Sequence, residues 1–286
     1  MTYATPANLR AALEDRLGNR ARSDGVSLIR LRRKVTVERL LARLEHSQPG
    51  RWIVKGGMAL EYRLGSNARA TRDLDLALRT AEADATRAHT DLVTALGADP
   101  FSDGFVFAVP PPRLIDIDDQ ADTCWRFNVR ASLGGRLFES MHVDVVARIE
   151  ETGRTERLTV PSLLAFAGFP SFDVEAVDRR QHFAEKLHAV TRAYGTRPSS
   201  RAWDLADLLL LIGDGLAPDR VLLEAVHDVF TTRGTHPLPD PLPDPPAEWR
   251  TTYPQYAEPI GLVETTVDTA MTALRAFWSQ ALNAEE

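Results

Sequence analysis

Apolar residues recur at helical spacing through the first fifty positions of the chain. Leu9, Leu13 and Leu17 lie four residues apart, and a second apolar stripe begins at Leu28. This spacing places apolar side chains along one face of a helix. Two helices are therefore predicted before a Pro-Gly break at residues 49–50.

Between residues 52 and 147 the periodicity becomes that of β-strands. A β-rich run over residues 52–54 is stopped by Gly56 and Gly57, and a short helix is predicted to follow. A small mixed sheet is expected in this region. Its other predicted elements are a helix over residues 81–96 and alternating strands over residues 74–78, 105–109, 125–130 and 141–145.

Helical patterns dominate from residue 161 onward. Residues 237–246 carry six prolines and are predicted to be an extended connector. The fold class is therefore predicted to be α+β, with N-terminal helices and a small mixed sheet in residues 1–150 and a helical bundle in residues 151–286. The helices predicted in the second part cover residues 163–166, 177–194, 202–212, 220–230 and 262–282.

The composition is that of an ordinary soluble globular protein, with 44% hydrophobic and 26% charged residues. No apolar run is long enough to cross a bilayer and no secretory signal is recognisable, so a cytoplasmic protein without a membrane partner is expected. Cys124 is the only cysteine, which excludes an intrachain disulfide and a multi-cysteine zinc site. The formal charge of −6 argues against a protein that coats nucleic acid, although residues 30–43 are locally basic.

Two acidic residues lie at the start of the strand predicted over residues 74–78. Asp73 and Asp75 are two apart, so on a strand their carboxylates point to the same side. Two such charges repel each other unless a cation lies between them, and hard oxygen ligands suit Mg²⁺. An Asp-x-Asp pair alone is also common on solvated strands, so the prediction of a metal site depends on its context.

That context is a strand, a Gly-Gly turn, a short helix and then the Asp-x-Asp strand. Gly56 and Gly57 allow the backbone to approach a phosphate, and the helix that follows presents free N–H groups to it. Asp144 alternates with Val143 and Val145, so its carboxylate is predicted to face away from the core. If its strand lies beside that of Asp73, three carboxylates meet and can hold two Mg²⁺ ions for phosphoryl-type transfer. Otherwise Asp144 is a solvated edge residue.

Four segments extend this context along the chain. They are Val-Lys-Gly-Gly-Met-Ala-Leu-Glu at residues 54–61, Ala-Thr-Arg-Asp-Leu-Asp at 70–75, Phe-Ala-Glu-Lys-Leu-His-Ala at 183–189 and Arg-Ala-Trp-Asp-Leu-Ala-Asp-Leu at 201–208. In this order they resemble the AbiEii-type toxins of bacterial type IV toxin–antitoxin systems, including the mycobacterial MenT group, within the polymerase-β-like nucleotidyltransferase superfamily. The resemblance implies a nucleotidyltransferase α/β domain in the first part and a helical domain that completes the active site.

The resemblance also implies roles for individual residues. Asp73 and Asp75 resemble the metal-binding pair of the family, and Thr71 stands where the family has a hydroxyl residue that contacts phosphate or is modified. Lys186 is expected to hold the nucleotide phosphates, and Asp207 matches the essential aspartate of the fourth motif. The other positions expected to bind nucleotide or phosphate are Lys55, Gly56, Gly57, Arg72 and Arg233.

Lys186 can also have a structural role in place of phosphate binding. It lies on a largely apolar helix face, where an unpaired ammonium group is costly. Asp204 and Asp207 are three residues apart and share a face of the next predicted helix. An ion pair between these helices therefore competes with the phosphate role.

The implied function is transfer of a nucleoside monophosphate from an NTP to the 3′ end of tRNA, with release of pyrophosphate and inhibition of translation and growth. The resemblance favours CTP or another pyrimidine nucleotide, and it implies a cognate antitoxin. The basic residues at 30–43, with Arg126, Arg130 and Arg201, are predicted to hold the RNA backbone.

Two other functions remain open. The same chemistry can serve a small-molecule or protein acceptor. In addition, Met58 stands where the family usually has Ser or Thr after Gly-Gly, and a methionine side chain cannot donate a hydrogen bond to phosphate. This departure favours a catalytically decayed binding or regulatory module.

Overall fold

A computed structural model describes residues 3–80, 84–116, 123–147, 153–193 and 201–284. The chain divides into two units: the first comprises Met1–Tyr62 and Ala70–Ala176, and the second comprises Arg63–Arg69 and Val177–Glu286. The boundary predicted at residue 150 falls inside the first unit, because the two strands that follow it belong to the sheet of that unit.

The first unit begins with helices α1 (Pro6–Asp24) and α2 (Leu28–Ser47), as the apolar stripes predict. The Thr5 side chain accepts a hydrogen bond from the Asn8 N–H and so caps α1, and Gly25 ends that helix in the left-handed conformation. Helix α2 packs against α1, against α4 (Ala85–Gly97) and against the sheet. These helices cover apolar side chains that the sheet would otherwise expose.

In the described part of the chain, eight strands form one mixed sheet in the order β3-β5-β6-β2-β1-β8-β7, with β4 paired to β5. Strand β2 pairs antiparallel with β1 and parallel with β6, and β6 pairs antiparallel with β5. Helix α3 (Gly56–Leu64) follows β1 directly. The strands are β1 (Trp52–Lys55), β2 (Leu74–Leu78), β3 (Phe105–Ala108), β4 (Arg113–Asp116), β5 (Thr123–Leu133), β6 (Arg136–Val146), β7 (Thr155–Val160) and β8 (Phe172–Val177).

Three strands were not predicted from the sequence. Strands β4 and β7 are short, and β8 lies in the region predicted to be helical. Strand β8 pairs parallel with β1, Ala176 opposite Val54, so its conformation is set by a partner more than a hundred residues away. The helix predicted over residues 163–166 is only a 3₁₀ turn, Ala165–Ala167.

The second unit is a helical bundle. Helix α5 packs against α6 and α7, and α10 packs against the same two helices. Its members are α5 (Arg179–Thr191), α6 (Ala202–Gly213), α7 (Arg220–Arg233), the short α8 (Trp249–Thr252) and α9 (Pro254–Ala257), and α10 (Val267–Asn283).

Capping decides where these helices begin. Helix α10 starts at Val267, five residues later than predicted, because Thr266 and Thr269 form a reciprocal capping box. Helix α5 starts after Asp178, whose carboxylate accepts the Gln181 N–H. The predicted end of this helix at residue 194 lies outside the described residues.

The proline-rich residues 237–246 contain neither helix nor strand, as predicted. A mixed sheet with N-terminal helices and a C-terminal helical bundle confirms the α+β fold class. None of the helices in the described ranges has the length and apolar character of a membrane span.

Candidate active site

Four charged side chains form a row across four neighbouring strands of the first unit. Lys55 on β1 lies opposite Asp75 on β2, Asp75 opposite Asp144 on β6, and Asp144 opposite Arg126 on β5. Side chains at paired positions of adjacent strands point to the same face of a sheet. The row therefore carries two adjacent carboxylates with one cation at each end, and we refer to it as the charged row.

Arg126 binds the carboxylates at one end of the charged row. Its Nε and Nη2 donate to the two oxygens of Asp144 over 2.8 and 2.6 Å. The same Nη2 lies 3.7 Å from Oδ2 of Asp73, whose other oxygen is 3.5 Å from Nδ1 of His142. The hydrogen bond to Asp144 raises the pKa of Arg126 above its usual value. One guanidinium group thus joins the two carboxylates, so a cation is already favoured at this point.

Cys124 lies beside the carboxylates on the same strand as Arg126. It is fully buried. Burial, and to a lesser extent the charges of Asp144 and Asp75, raise the pKa of its thiol to about 12, while the charges of Lys55 and Arg126 oppose the shift. The thiol is therefore uncharged at neutral pH, and it gives the base of the charged row an uncharged, poorly solvated surface.

The Gly-Gly turn packs directly against the acidic strand. Gly56 has a φ of +58°, and a Cβ at this position would overlap the carboxylate of Asp75. A Cβ on Gly57 would lie 2.7 Å from Cβ of Thr71. Both glycines are therefore required by close approach to protein side chains, in addition to any approach to phosphate.

The residues around this turn are fixed by local contacts. The Thr71 hydroxyl donates to the Asp73 carbonyl oxygen over 3.2 Å, which shapes the entry into β2. Arg72 is exposed. The Met58 side chain is buried in the core, so its chemistry does not decide what the turn can bind. The backbone N–H groups in the first turn of α3 lack partners within that helix.

The three carboxylates of Asp73, Asp75 and Asp144 suit Mg²⁺ by donor type, since all are hard oxygen ligands. Among the described residues no three such side chains are arranged around a common point where a metal ion would sit. At Asp144 both oxygens accept hydrogen bonds from Arg126. The three carboxylates therefore suit Mg²⁺ by their donor atoms. In the structure the guanidinium group of Arg126 lies between Asp73 and Asp144 and supplies the positive charge there.

A second charge cluster lies in the second unit, built on α5 and α6. The Lys186 ammonium donates to Asp204 over 2.7 Å and lies 2.7 Å from Asp207. Arg69 donates to both oxygens of Asp207 over 2.9 and 3.0 Å. Burial lowers the pKa of Lys186, but the two carboxylates outweigh it and the net pKa is raised. The ion pair weighed for Lys186 and Asp207 is therefore present.

Arg233 lies at the end of α7 in the same unit, next to a histidine pair. Its Nη1 is 3.5 Å from Nδ1 of His188. The Thr235 hydroxyl lies 2.7 Å from Nε2 of His188 and 2.9 Å from Nδ1 of His236. His188 is buried and its ring packs against Phe230.

The basic residues at 30–43 do not form a free surface. Arg39 and Arg43 are buried and share the carboxylate of Asp103 over 2.7 Å each. Neither can contact an RNA backbone, which corrects that part of the prediction. The other four are paired on the first unit: Arg30 and Lys34 with Glu61, Arg32 with Glu14, and Arg33 with Glu139.

The remaining residues predicted to hold RNA differ in their surroundings. Arg130 is exposed on β5. Arg126 is engaged by the carboxylates and Arg201 lies 3.5 Å from Asp204, so Arg130 is the member of this group that presents its charge to solvent.

The sequence of the chain matches a family model over most of its length. The model of the nucleotidyl transferase AbiEii toxin of type IV toxin–antitoxin systems matches residues 39–276. The chain belongs to the AbiEii nucleotidyltransferase toxin family. The resemblance carried by the four sequence segments is thereby confirmed, and membership implies an NTP substrate and a cognate antitoxin.

Solved structures were found that are similar to the chain, and the first of them shows the same fold. The nucleotidyltransferase toxin MenT4 from Mycobacterium tuberculosis H37Rv has a TM-score of 0.50 and 19% identity, covering 96% of this chain and 98% of that chain. A nucleotidyltransferase candidate from H. pylori has a TM-score of 0.43 and 16% identity over 88% and 92% of the two chains. An antigenic nucleotidyltransferase-like protein from Paracoccidioides brasiliensis has values of 0.41 and 18% over 70% and 88%. No curated protein matches the sequence.

In this AbiEii family member, two arginines contact residues that the sequence predicts for the site, Arg126 in the first unit and Arg69 in the second, and the sequence assigns neither of them to it. The sequence predicts an RNA-binding role for Arg126, although alternation along its strand also places it on the polar face. The contact between Arg126 and Asp144 arises from the pairing of β5 with β6, which the sequence does not reveal. Arg69 stands two residues before Thr71, and nothing in the local pattern indicates its bond to Asp207.

Proposed function

We propose that this toxin-family protein transfers a nucleoside monophosphate from an NTP to the 3′ end of tRNA in a Mg²⁺-dependent reaction that releases pyrophosphate. Loss of a usable tRNA end would inhibit translation and growth, and the cognate antitoxin would prevent this in the cytoplasm. The single observation that carries the proposal is the placing of Asp75 and Asp144 side by side on adjacent strands, with Asp73 joined to Asp144 through Arg126.

The carboxylates of the first unit provide the reaction centre in this proposal. Asp73, Asp75 and Asp144 would hold the Mg²⁺ ions, which supply positive charge to the phosphates when bound. The 3′ hydroxyl oxygen forms a bond to the α-phosphorus, and the bond from that phosphorus to the pyrophosphate oxygen breaks. The hydroxyl proton passes to a carboxylate, for which Asp144 is proposed.

The triphosphate is proposed to bind at the Gly-Gly turn. The first turn of α3 offers backbone N–H groups and the positive end of the helix dipole. Lys55 lies next to the turn in the chain and in the charged row, and Thr71 and Arg72 precede the acidic strand. Because the Met58 side chain is buried, binding by backbone groups at Gly56 and Gly57 does not require a hydroxyl there.

The roles of Lys186, Asp207 and Arg233 in the second unit follow from the family motifs. We propose that all three are required for activity. The carboxylates of Asp204 and Asp207 neutralise the charge of Lys186. Lys186 can therefore bind a phosphate only if one of these two ion pairs opens. A pyrimidine nucleotide, with CTP first, is the proposed donor, by resemblance to the family.

A labelled-nucleotide assay tests this proposal. The full chain is incubated with Mg²⁺, total tRNA and each α-labelled NTP in turn, beside Asp73→Ala. We expect wild type to label the tRNA 3′ end with one pyrimidine nucleotide, and Asp73→Ala to reduce the rate about a thousandfold or more. Asp15→Ala, a change of the same kind on an exposed position of α1, serves as the matched control and keeps full activity.

Other outcomes separate the remaining functions. Label that survives RNase and stays with protein or a small molecule would replace tRNA as the acceptor while keeping the chemistry. If wild type transfers no label to any acceptor, and Asp73→Ala leaves growth inhibition unchanged, the enzyme proposal fails and a binding module takes its place.

A further inference from the structure

Arg126 occupies an unusual place among the arginines of the first unit. Its side chain is 35% exposed, whereas its bidentate partner Asp144 is only 11% exposed. Arg39 and Arg43, by comparison, are fixed in the core between a buried aspartate and aromatic rings. Solvent therefore reaches Arg126, whereas Arg39 and Arg43 are enclosed.

The electrostatics of the charged row make a cation necessary at this position. Asp75 and Asp144 lie opposite each other on adjacent strands. Adjacent strands are about 4.8 Å apart. Asp73 adds a third carboxylate within 3.7 Å of the Arg126 nitrogen that also binds Asp144. Without a cation, mutual repulsion and partial burial would raise the energy of these carboxylates.

We propose that Arg126 is a positioning residue that holds Asp144 and Asp73 in the metal-free protein and competes directly with the divalent cation for them. The inference rests on the proposed metal site. Arg126 binds both oxygens of Asp144, so a divalent cation held there meets the positive charge of the guanidinium group unless these hydrogen bonds are broken. Arg126 therefore sets the metal affinity of the site, and its removal strengthens metal binding.

Mn²⁺ binding to the full chain without nucleotide measures this competition. Free Mn²⁺ is followed by electron paramagnetic resonance for wild type, Arg126→Gln and Asp73→Ala. We expect Arg126→Gln to lower the Kd for Mn²⁺ about tenfold, since a charge-assisted hydrogen bond to a partly exposed group no longer has to be broken. A supporting role for Arg126 in ligand geometry predicts the opposite sign.

Arg130→Gln is the matched control, because it removes the same charge from the same face of β5. It lies four residues away, roughly 13 Å along the strand, beyond the screening distance at physiological salt. We expect less than a twofold change in its Kd for Mn²⁺. An equal change in both variants would show a general charge effect and overturn the proposal.

Thermal unfolding keeps the test valid if Arg126→Gln is destabilised. Without Mn²⁺ the variant is expected to melt below wild type, because Asp144 loses its partner. Mn²⁺ should then raise its Tm more than that of wild type. A Tm loss that Mn²⁺ does not restore, or an unchanged or higher Kd, would show that Arg126 is structural only. If wild type and Asp73→Ala bind Mn²⁺ equally, the proposed metal site itself fails.

Discussion

The two charge clusters differ in what water can reach. In the first unit the Arg126 and Asp73 side chains are 35% and 37% exposed. In the second unit Lys186 and Asp207 are 8% and 0% exposed, and every charge there faces an opposite charge. An exposed ion pair is easily opened, whereas opening a buried pair leaves an uncompensated charge in a poorly solvated place.

This difference separates an exchangeable cluster from a fixed one. In the proposed metal site, the carboxylates of the first unit exchange Arg126 for a divalent cation, and the exposure of Arg126 and Asp73 lets solvent assist this exchange. The cluster of Lys186, Asp204 and Asp207 ties α5 to α6 within the bundle. The first cluster is thus suited to ligand exchange at low cost, whereas in the second the phosphate role proposed for Lys186 requires a buried ion pair to open.

The largest expected effect tests how fixed the second cluster is. Lys186→Met removes the cation between two buried carboxylates, and we expect it to lower the free energy of unfolding by about 3–5 kcal/mol. Urea unfolding measures this change. Arg180→Met on the same helix breaks a partly exposed pair with Asp219 and should cost no more than about 1 kcal/mol.

The double variant Lys186→Met with Asp204→Asn refines the same comparison. Removing one of the unpaired charges should restore part of the stability. If Lys186→Met instead unfolds like wild type yet loses nucleotide transfer, Lys186 acts on a phosphate and the cluster is not a structural tie.

Gly56→Ala tests whether the acidic strand depends on its close contact with the turn. The added methyl group combines a positive φ with overlap of the Asp75 carboxylate, and we expect a loss of about 2–3 kcal/mol together with nearly all activity. Thermal unfolding and the labelling assay measure the two effects.

Gly135→Ala provides the control for backbone strain alone. Gly135 has a φ of +73°, and a Cβ there meets no described atom within 4 Å. Gly135→Ala should lower the free energy of unfolding by about 1 kcal/mol and leave nucleotide transfer intact. Equal losses in the two variants would remove the specific role of the contact with Asp75.

The smallest expected effect concerns Glu38, a buried carboxylate on α2 held mainly by neutral donors. Ser162 and the Leu163 N–H donate to it over 2.9 and 2.7 Å. Burial raises its pKa to about 7, although these hydrogen bonds and Arg39 oppose the shift. Because the folded-state pKa lies above the unfolded value of 4.5, the contribution of Glu38 to stability is lost as pH rises from about 4.5 to 7.

Unfolding free energies at pH 5 and pH 8 measure this contribution. Between pH 5 and pH 8, the free energy of unfolding of wild type should fall by about 2 kcal/mol more than that of Glu38→Gln. Glu45→Gln, a change on the same helix at a partly exposed position, should keep the wild-type pH dependence. A pH dependence that Glu38→Gln does not reduce would mean that the carboxylate is already ionised in the folded protein.

Much of the fold was predictable because its signals are local. The leucine spacing predicted α1 and α2, and alternation predicted β2, β5 and β6. Strand β8 was missed because a six-residue strand between helical patterns is selected by its pairing with β1. For the same reason the first unit extends to Ala176, at the end of the last strand of the sheet.

The sequence by itself determined that Asp73 and Asp75 point to the same side, since the strand period depends only on neighbouring residues. It also determined family membership, through four short segments in order. Only the tertiary structure decided which cation meets which carboxylate. Arg126 binds Asp144 because β5 and β6 pair in one register, and Arg39 is buried because Asp103, 64 residues away, reaches it. Such pairings depend on strand order and packing, which no local pattern contains.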